Sequence, residues 1–399
     1  MSSDNFIEVS YEAAHKVGGI YQVLKSKAGR MKDFYGDDYY TIGFYDPDSA
    51  ADEFAPRECP PELEQLKKAE NGIEIHCGVW RVEGQPKCIL VDASEMEKSA
   101  DEIKEELYEE HGIDSINAGQ DFNEPVRWSY AAGKVVSALE QGVEGDTVVQ
   151  LHEWLSGPAM MNYDAPTVFT THATVLGRTL SNADYDLDRL IEEDAVEDSM
   201  AEEHGVKAKH QTEKMAAGES DVFTTVSKVT GREAEAVLGV EPDMILPNGF
   251  NVREFPSLEE LSYQHKKKKQ EMKEFLRAYF EPYYDVDLED DPRILFISGR
   301  YEFHNKGIDT FIDALAELNE QDGDDFFVFF FVPTDVNQVK PEVLENMSLY
   351  QELEDYVDSV TPRMRSSLID ALTSGSDPGE SVKEVVEKSS GNWESLQQN

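Results

Sequence analysis

Short apolar runs that alternate with amphipathic helical patterns predict an α/β fold built on a parallel sheet with crossover helices. Three observations carry that expectation. Strand-length runs recur at Phe6 to Val9, Tyr40 to Phe44, Ile73 to Val82, Cys88 to Val91, Val148 to Leu151, Val168 to Thr171, Phe223 to Val226 and Met244 to Leu246. Helical patterns separate most of them, at Gly19 to Met31, Ala100 to His111, Glu124 to Gln141, Glu197 to Ala217, Lys228 to Leu238 and Leu258 to Phe280. Polar clusters follow several of the runs directly, and open α/β sheets bind ligands outside the carboxyl ends of their strands.

These elements assign residues 1–282 to a first α/β domain, near the upper end of size for a single core. The acidic stretch Tyr283 to Pro292 reads as a linker. A second strand-loop-helix-strand unit follows, and residues 293–334 are taken as the start of a second Rossmann-like domain. Residues 335–399 carry only helical patterns, Glu342 to Val360 and Arg363 to Leu372, and then a Ser/Gly/Asp-rich stretch with a polar end. Two strands cannot bury both faces of a parallel sheet, so the second domain is expected to be incomplete, with its remaining strands beyond Asn399.

Composition narrows the partners. The chain carries 82 acidic against 36 basic residues, a net charge of -46 spread along its whole length. Dispersed acid of this density reads as a hydrated, salt-adapted surface of the halophilic kind, since a basic partner would call for a local patch. Nucleic acid is excluded, because counterion release needs a clustered basic face. The cysteines Cys59, Cys77 and Cys88 are odd in number and irregular in spacing, which argues against a disulfide framework and for a reducing compartment. The first residues lack a basic and then apolar leader, and the longest apolar run, Phe326 to Val332, is too short to span a bilayer. A soluble, cytoplasmic protein is expected.

The chemistry-bearing segments lie at strand ends. Gly299 to Gly307 runs from the apolar Ile294-Leu295-Phe296-Ile297 into a helical pattern, so Arg300 and Lys306 share one strand-to-helix connection where two cations can grip a diphosphate. Lys16-Val17-Gly18-Gly19 stands between a strand and a helix, where glycines allow close backbone approach to phosphate or sugar; a plain tight turn explains the pair equally well. His152-Glu153-Trp154 and Thr170-Thr171-His172-Ala173-Thr174 each follow a strand, with Arg178 six residues beyond His172. Taken singly, each histidine reads as a hydrogen-bonded structural residue; the recurrence of such clusters favours a cleft. Pro247-Asn248-Gly249 is turn chemistry on the same edge.

In this order, Lys16-Val17-Gly18-Gly19-Ile20-Tyr21, His152-Glu153-Trp154-Leu155, Thr170 to Thr174 with Gly177-Arg178, Thr224-Thr225-Val226-Ser227, Pro247-Asn248-Gly249 and Gly299 to Gly307 resemble the eukaryotic-type glycogen synthases of glycosyltransferase family 3. The likeness covers roughly residues 6 to 333. The resemblance implies a GT-B fold, two Rossmann-like domains facing a cleft, and retaining transfer of glucose from UDP-glucose to the non-reducing end of an α-1,4-glucan. It implies that Arg300 and Lys306 neutralise the departing diphosphate, with no cofactor and no metal. His172 would lie over the donor glucose, Arg178 would contact phosphate or acceptor, and Gly18 and Gly19 would close on the donor beside Lys16. Glu153 and Asn248 would line the cleft. The helical tail from Pro341 matches in position an inserted element of the family, which implies an assembly element at Glu342 to Leu372 and a homo-oligomer; a solvated hairpin accounts for that sequence equally well.

The family's pair of glutamates with seven residues between them, in its aromatic setting, is not found before Asn399, so this chain alone is expected to turn over little. The alternatives are an ADP-glucose-dependent enzyme of the same fold and a silent glucan-binding or assembly protein. Three further segments are decoys. Asp184 to Asp188 imitates a calcium loop, but Arg189 and Ala195 stand where glycine and glutamate are needed. His152-Glu153 opens like a zinc-protease motif, but Ser156 replaces the second histidine. Lys266 to Lys269 reads as a solvated helix face.

Overall fold

A computed structural model of the chain describes residues 3–70, 72–252, 255–279, 293–321, 326–333 and 341–389. They divide into two compact units, one of residues 1–255 with 303–307 and one of 256–302 with 308–399. The helix Leu258–Tyr279 thus groups with the second unit, N-terminal of the break that the sequence placed at 282. The expected linker from 283 to 292 lies outside the described residues.

In the first unit, nine strands form one sheet. They are β1 (Asn5–Val9), β2 (Tyr39–Phe44), β3 (Phe54–Pro56), β4 (Glu74–Trp80), β5 (Lys87–Asp92), β6 (Thr147–His152), β7 (Thr167–Thr171), β8 (Val222–Thr225) and β9 (Met244–Ile245). Their order is β3-β4-β5-β2-β1-β6-β7-β8-β9, and every pairing from β5 to β9 is parallel. The order reverses at β1, which lies between β2 and β6, so the carboxyl ends of β1 and β6 flank a crevice.

Helices cover both faces, which is why the central strands read as apolar runs. Ile7, Val9, Ile42, Val149, Leu151, Phe169 and Phe223 are all buried. Burial of each such side chain contributes about 1.5 to 3 kcal/mol. Local chemistry sets the helix ends. Helix Ala100–His111 begins in a capping box, with Ser99 and Glu102 bonded reciprocally, and stops at left-handed Gly112. The single helix expected from Glu197 to Ala217 is instead two, Asp198–Glu203 and Lys207–Glu219, because Gly205 between them takes a φ of 70°. Asp186 of the calcium-like segment is the N-cap of Leu187–Glu192, its carboxylate accepting from the Arg189 N–H.

One expectation is overturned. Cys59 and Cys77 form a disulfide, Cα to Cα 5.1 Å. The chain leaving β3 folds back along β4, where the Arg57 N–H donates to the Cys77 carbonyl at 2.7 Å. That tertiary contact is invisible in the spacing. Cys88 is a buried free thiol, pushed up to about 12 by burial.

In the second unit, strands Arg293–Ser298 and Phe326–Phe331 pair in parallel through helix Ile308–Asn319. Phe296, Phe330 and Phe331 are exposed on this two-stranded ribbon. Pro362 does not break the following helix, which runs from Pro341 to Ser374. The stretch read as irregular contains a further helix, Pro378–Ser389, packed against it. Pro378 starts it at a position where a missing N–H costs nothing. Among the described residues no helix is long and apolar enough to cross a membrane.

Candidate functional site

The carboxyl edge of the first unit's sheet holds a cavity of about 320 Å³. Helix α1 (Gly19–Tyr35) contributes Ser26, Lys27 and Arg30; β6 and β7 contribute Gln150, His152 and Thr170; His172 and the 246–250 turn complete it. Of the residues to which the family resemblance gives a role, His172 and Asn248 line it together.

Behind His172 runs a buried polar chain. The Glu8 carboxylate lies inside β1 and is fully buried. It accepts from the Tyr39 hydroxyl at 2.5 Å and from His152 Nε2 at 2.8 Å, and it pairs with the Lys27 ammonium. Burial alone would raise its pKa, yet the Lys27 charge and the hydrogen bonds from His152 and Lys27 bring it down to about 2. His152 Nδ1 lies 3.1 Å from His172 Nε2. Burial disfavours the charged form of both rings; His172, beside His152 and Lys27, falls to about 3.

Carboxylates fix the loop that carries His172. Glu153 Oε1 accepts the backbone N–H groups of His172 at 2.9 Å and Ala173 at 3.3 Å. Glu233 accepts that of Thr174 at 3.0 Å, and Glu213 that of Val175 at 2.8 Å. Four consecutive amides at the start of helix Val175–Asn182 are therefore each held by a buried or part-buried acid. Burial raises the pKa of Glu153, against the lowering influence of Arg178; burial and then Glu153 raise that of Glu213. Glu153 itself has a φ of 65°, which costs a non-glycine residue about 1 to 2 kcal/mol and aims its carboxylate under the loop.

The remaining predicted residues do not line the cavity, though Arg178 stands close enough to Glu153 and His172 for its charge to lower the pKa of both. Gly18 caps α1, and Glu12 fills the position where its Cβ would be, 2.2 Å from Glu12 Oε1. The same carboxylate accepts the Tyr21 N–H at 2.8 Å, so the N-terminus of α1 already holds an anion. Gly19 has no atom within 4 Å of an ideal Cβ, and Lys16 is exposed. Arg178 lies on helix Val175–Asn182 and receives the Asn305 side-chain amide at its carbonyl, 3.2 Å. Arg300 belongs to the second unit and is paired with Glu302 at 3.0 Å. Lys306 is an exposed residue of the 303–307 turn.

Sequence reasoning missed Glu8, Lys27, Glu213 and Glu233. Glu8 had a signal, an acid inside an apolar strand, since such a group is buried only when paired. The others sit on amphipathic helices, where a buried acid or base looks like one more solvated charge.

A largely parallel α/β sheet whose strand order reverses beside a cavity defines a doubly wound protein of the kind that binds ligands at its strand ends. More narrowly, the chain belongs to the glycogen synthase family, whose sequence profile, described as Glycogen synthase, matches residues 8–391. It is 35% identical to the glycogen [starch] synthase of Neurospora crassa over 367 residues, 88% of this chain and 52% of that one. It is 32% identical to the liver glycogen [starch] synthase of Homo sapiens, over 93% of this chain and 54% of that one. The chain spans about half the length of these curated relatives. Among solved structures it is similar to the catalytic domain of starch synthase IV from Arabidopsis thaliana, with a TM-score of 0.48 and 15% identity over 86% of this chain and 70% of that one.

Proposed function

We propose that the chain carries the first domain and the start of the second domain of a GT-B glucosyltransferase, which moves glucose from UDP-glucose to the non-reducing end of an α-1,4-glucan with retention. Family membership supports the reading together with one observation: His172, Asn248 and Lys27 line a single cavity at the switch point of the sheet. In this reading His172 and Asn248 contact the sugar. Arg300 and Lys306 take up the charge that develops on the diphosphate as it leaves, a role that needs no metal. Gly18, Gly19 and Lys16 form the loop near the donor, and Arg178 contacts phosphate or acceptor. Glu153 acts from beneath, as the support of the loop. The partners are a glucan acceptor, a nucleotide sugar and further copies of the chain, while the Cys59–Cys77 bridge removes the support that cysteine usage gave to a reducing cytoplasm.

Transfer of labelled glucose to glycogen by the intact gene product, in molar salt, tests the reading. UDP-glucose and ADP-glucose are supplied in parallel. Transfer from UDP-glucose, giving a product open to α-1,4-glucan hydrolysis, is expected. Transfer from ADP-glucose alone would correct the donor, and transfer from neither would overturn the enzyme.

A further inference from the structure

We propose that Glu8 and His152 are positioning residues that lock His172 in the tautomer protonated at Nε2, leaving Nδ1 as the ring's remaining lone pair. The functional consequence rests on the cavity's reading as a sugar site; the tautomer does not.

The argument starts from a carboxylate that has no proton to give. Glu8 holds the Lys27 ammonium and two further donors, the Tyr39 hydroxyl on Oε2 and His152 Nε2 on Oε1. An ionised carboxylate only accepts, so His152 Nε2 must carry its hydrogen. His152 is 2% exposed, and burial disfavours its imidazolium form. Neutral and protonated at Nε2, it presents a lone pair at Nδ1. Two lone pairs cannot face each other at the 3.1 Å that separates His152 Nδ1 from His172 Nε2, so His172 Nε2 supplies the hydrogen. His172 is held neutral as well, by burial and then by His152 and Lys27. A neutral ring with its hydrogen on Nε2 has an acceptor at Nδ1.

The charge at Glu8, sealed inside the sheet, is thus transmitted through two rings to a side chain that lines the cavity. It decides whether His172 accepts from a ligand hydroxyl or donates to one. The predicted partner is a hydroxyl that donates. A site built on this acceptor discriminates against a ligand that carries fluorine or hydrogen at that carbon, since neither can fill the lone pair with a hydrogen bond.

Nitrogen-15 histidine labelling of the whole chain, read by long-range proton-nitrogen correlation, tests the assignment without any ligand. Nine histidines are present, and the His172→Asn spectrum identifies the signals that belong to position 172. The expected result is a pyrrole-type Nε2 and a pyridine-type Nδ1 at His172, unchanged between about pH 5 and 8. A pyrrole-type Nδ1, or an imidazolium in that range, overturns the proposal from the wild-type spectrum alone. In Glu8→Gln the side-chain amide can donate to His152 Nε2, which reverses the chain. His172 should then exchange the two signal types in part or in full, and an unaltered His172 in a folded Glu8→Gln protein removes Glu8 from the relay. Correct tautomers in a protein that transfers no glucose would refute the proposed function and leave this inference standing.

Discussion

Glu153 Oε1 accepts the backbone N–H of His172 at 2.9 Å, from a residue whose own φ of 65° lies in left-handed space. The strain and the hydrogen bond belong together, because the unusual backbone turn is what brings the carboxylate under the loop. Glu153→Ala should lose about 2 to 4 kcal/mol, by leaving the His172 and Ala173 N–H groups buried without their acceptor. Glu153→Gln keeps an acceptor and should lose about 1 kcal/mol. Glu153→Gly should be about 1 kcal/mol less harmful than alanine, since glycine takes positive φ freely. Urea unfolding of the three variants would falsify this ordering if alanine and glycine proved equal.

Acid stability should report Glu8. Its folded pKa of about 2 lies below the ordinary 4.5, so its contribution is fully present above about 4.5 and is lost as pH falls through 2. The amount is about 3 kcal/mol. Glu153 and Glu213 have the opposite sign, since raised pKa values give stability that is present at low pH and lost as pH rises. The difference between wild type and Glu8→Gln isolates the first effect. It should shrink as unfolding midpoints are taken from pH 5 downward, and a constant difference would count against the buried ion pair.

Three glycines should separate cleanly. At Gly43 an added Cβ would meet the Ala13 carbonyl oxygen at 2.1 Å, backbone against backbone, and Gly43→Ala should cost about 3 kcal/mol. At Gly18 the obstacle is the end of a flexible side chain, Glu12, which can swing away. Gly18→Ala should therefore cost about 1 kcal/mol, through loss of the cap on the Tyr21 N–H. Gly19→Ala should be neutral to within about 0.5 kcal/mol, because nothing stands near it. Equal effects at positions 18 and 19 in thermal unfolding would contradict the Glu12 cap.

Thiol titration of the denatured, unreduced chain should count one group, Cys88, and three after reduction. Removing the Cys59–Cys77 bridge, which closes a loop of separation 18, should cost about 3 kcal/mol. Three thiols before reduction would remove the bridge.

Arg300→Ala and Lys306→Ala in the intact gene product should each lose about 2 to 4 kcal/mol of transition-state stabilisation, read as kcat for glucose transfer. Unchanged turnover in both would dismiss the diphosphate role.

Much of the sheet was legible because its strands are covered on both faces and therefore read as apolar runs. Only Phe54–Pro56, three residues on an antiparallel edge, had too short a pattern to see. The break at Gly205 was missed because the apolar period continues across it, while Gly205 itself takes a φ of 70° that no α-helix contains. His172 and Asn248 were recognisable from their places after strands, and both line the cavity. Its supports were not. Glu213 and Glu233 lie 38 and 59 residues from the amides they hold, and in so acidic a chain two more glutamates on helices carry no mark of burial. The disulfide failed for a similar reason, since a contact made by folding leaves no spacing rule behind.

The amides of residues 172 to 175 have a further consequence. A helix start is ordinarily a place where an anion settles, drawn by unpaired N–H groups. Here those groups are already bound to the protein's own acids, and α1 begins in the same way at Glu12. Neither helix start is therefore left open as an anion site, and the cations on the cavity's lining are the side chains of Lys27 and Arg30.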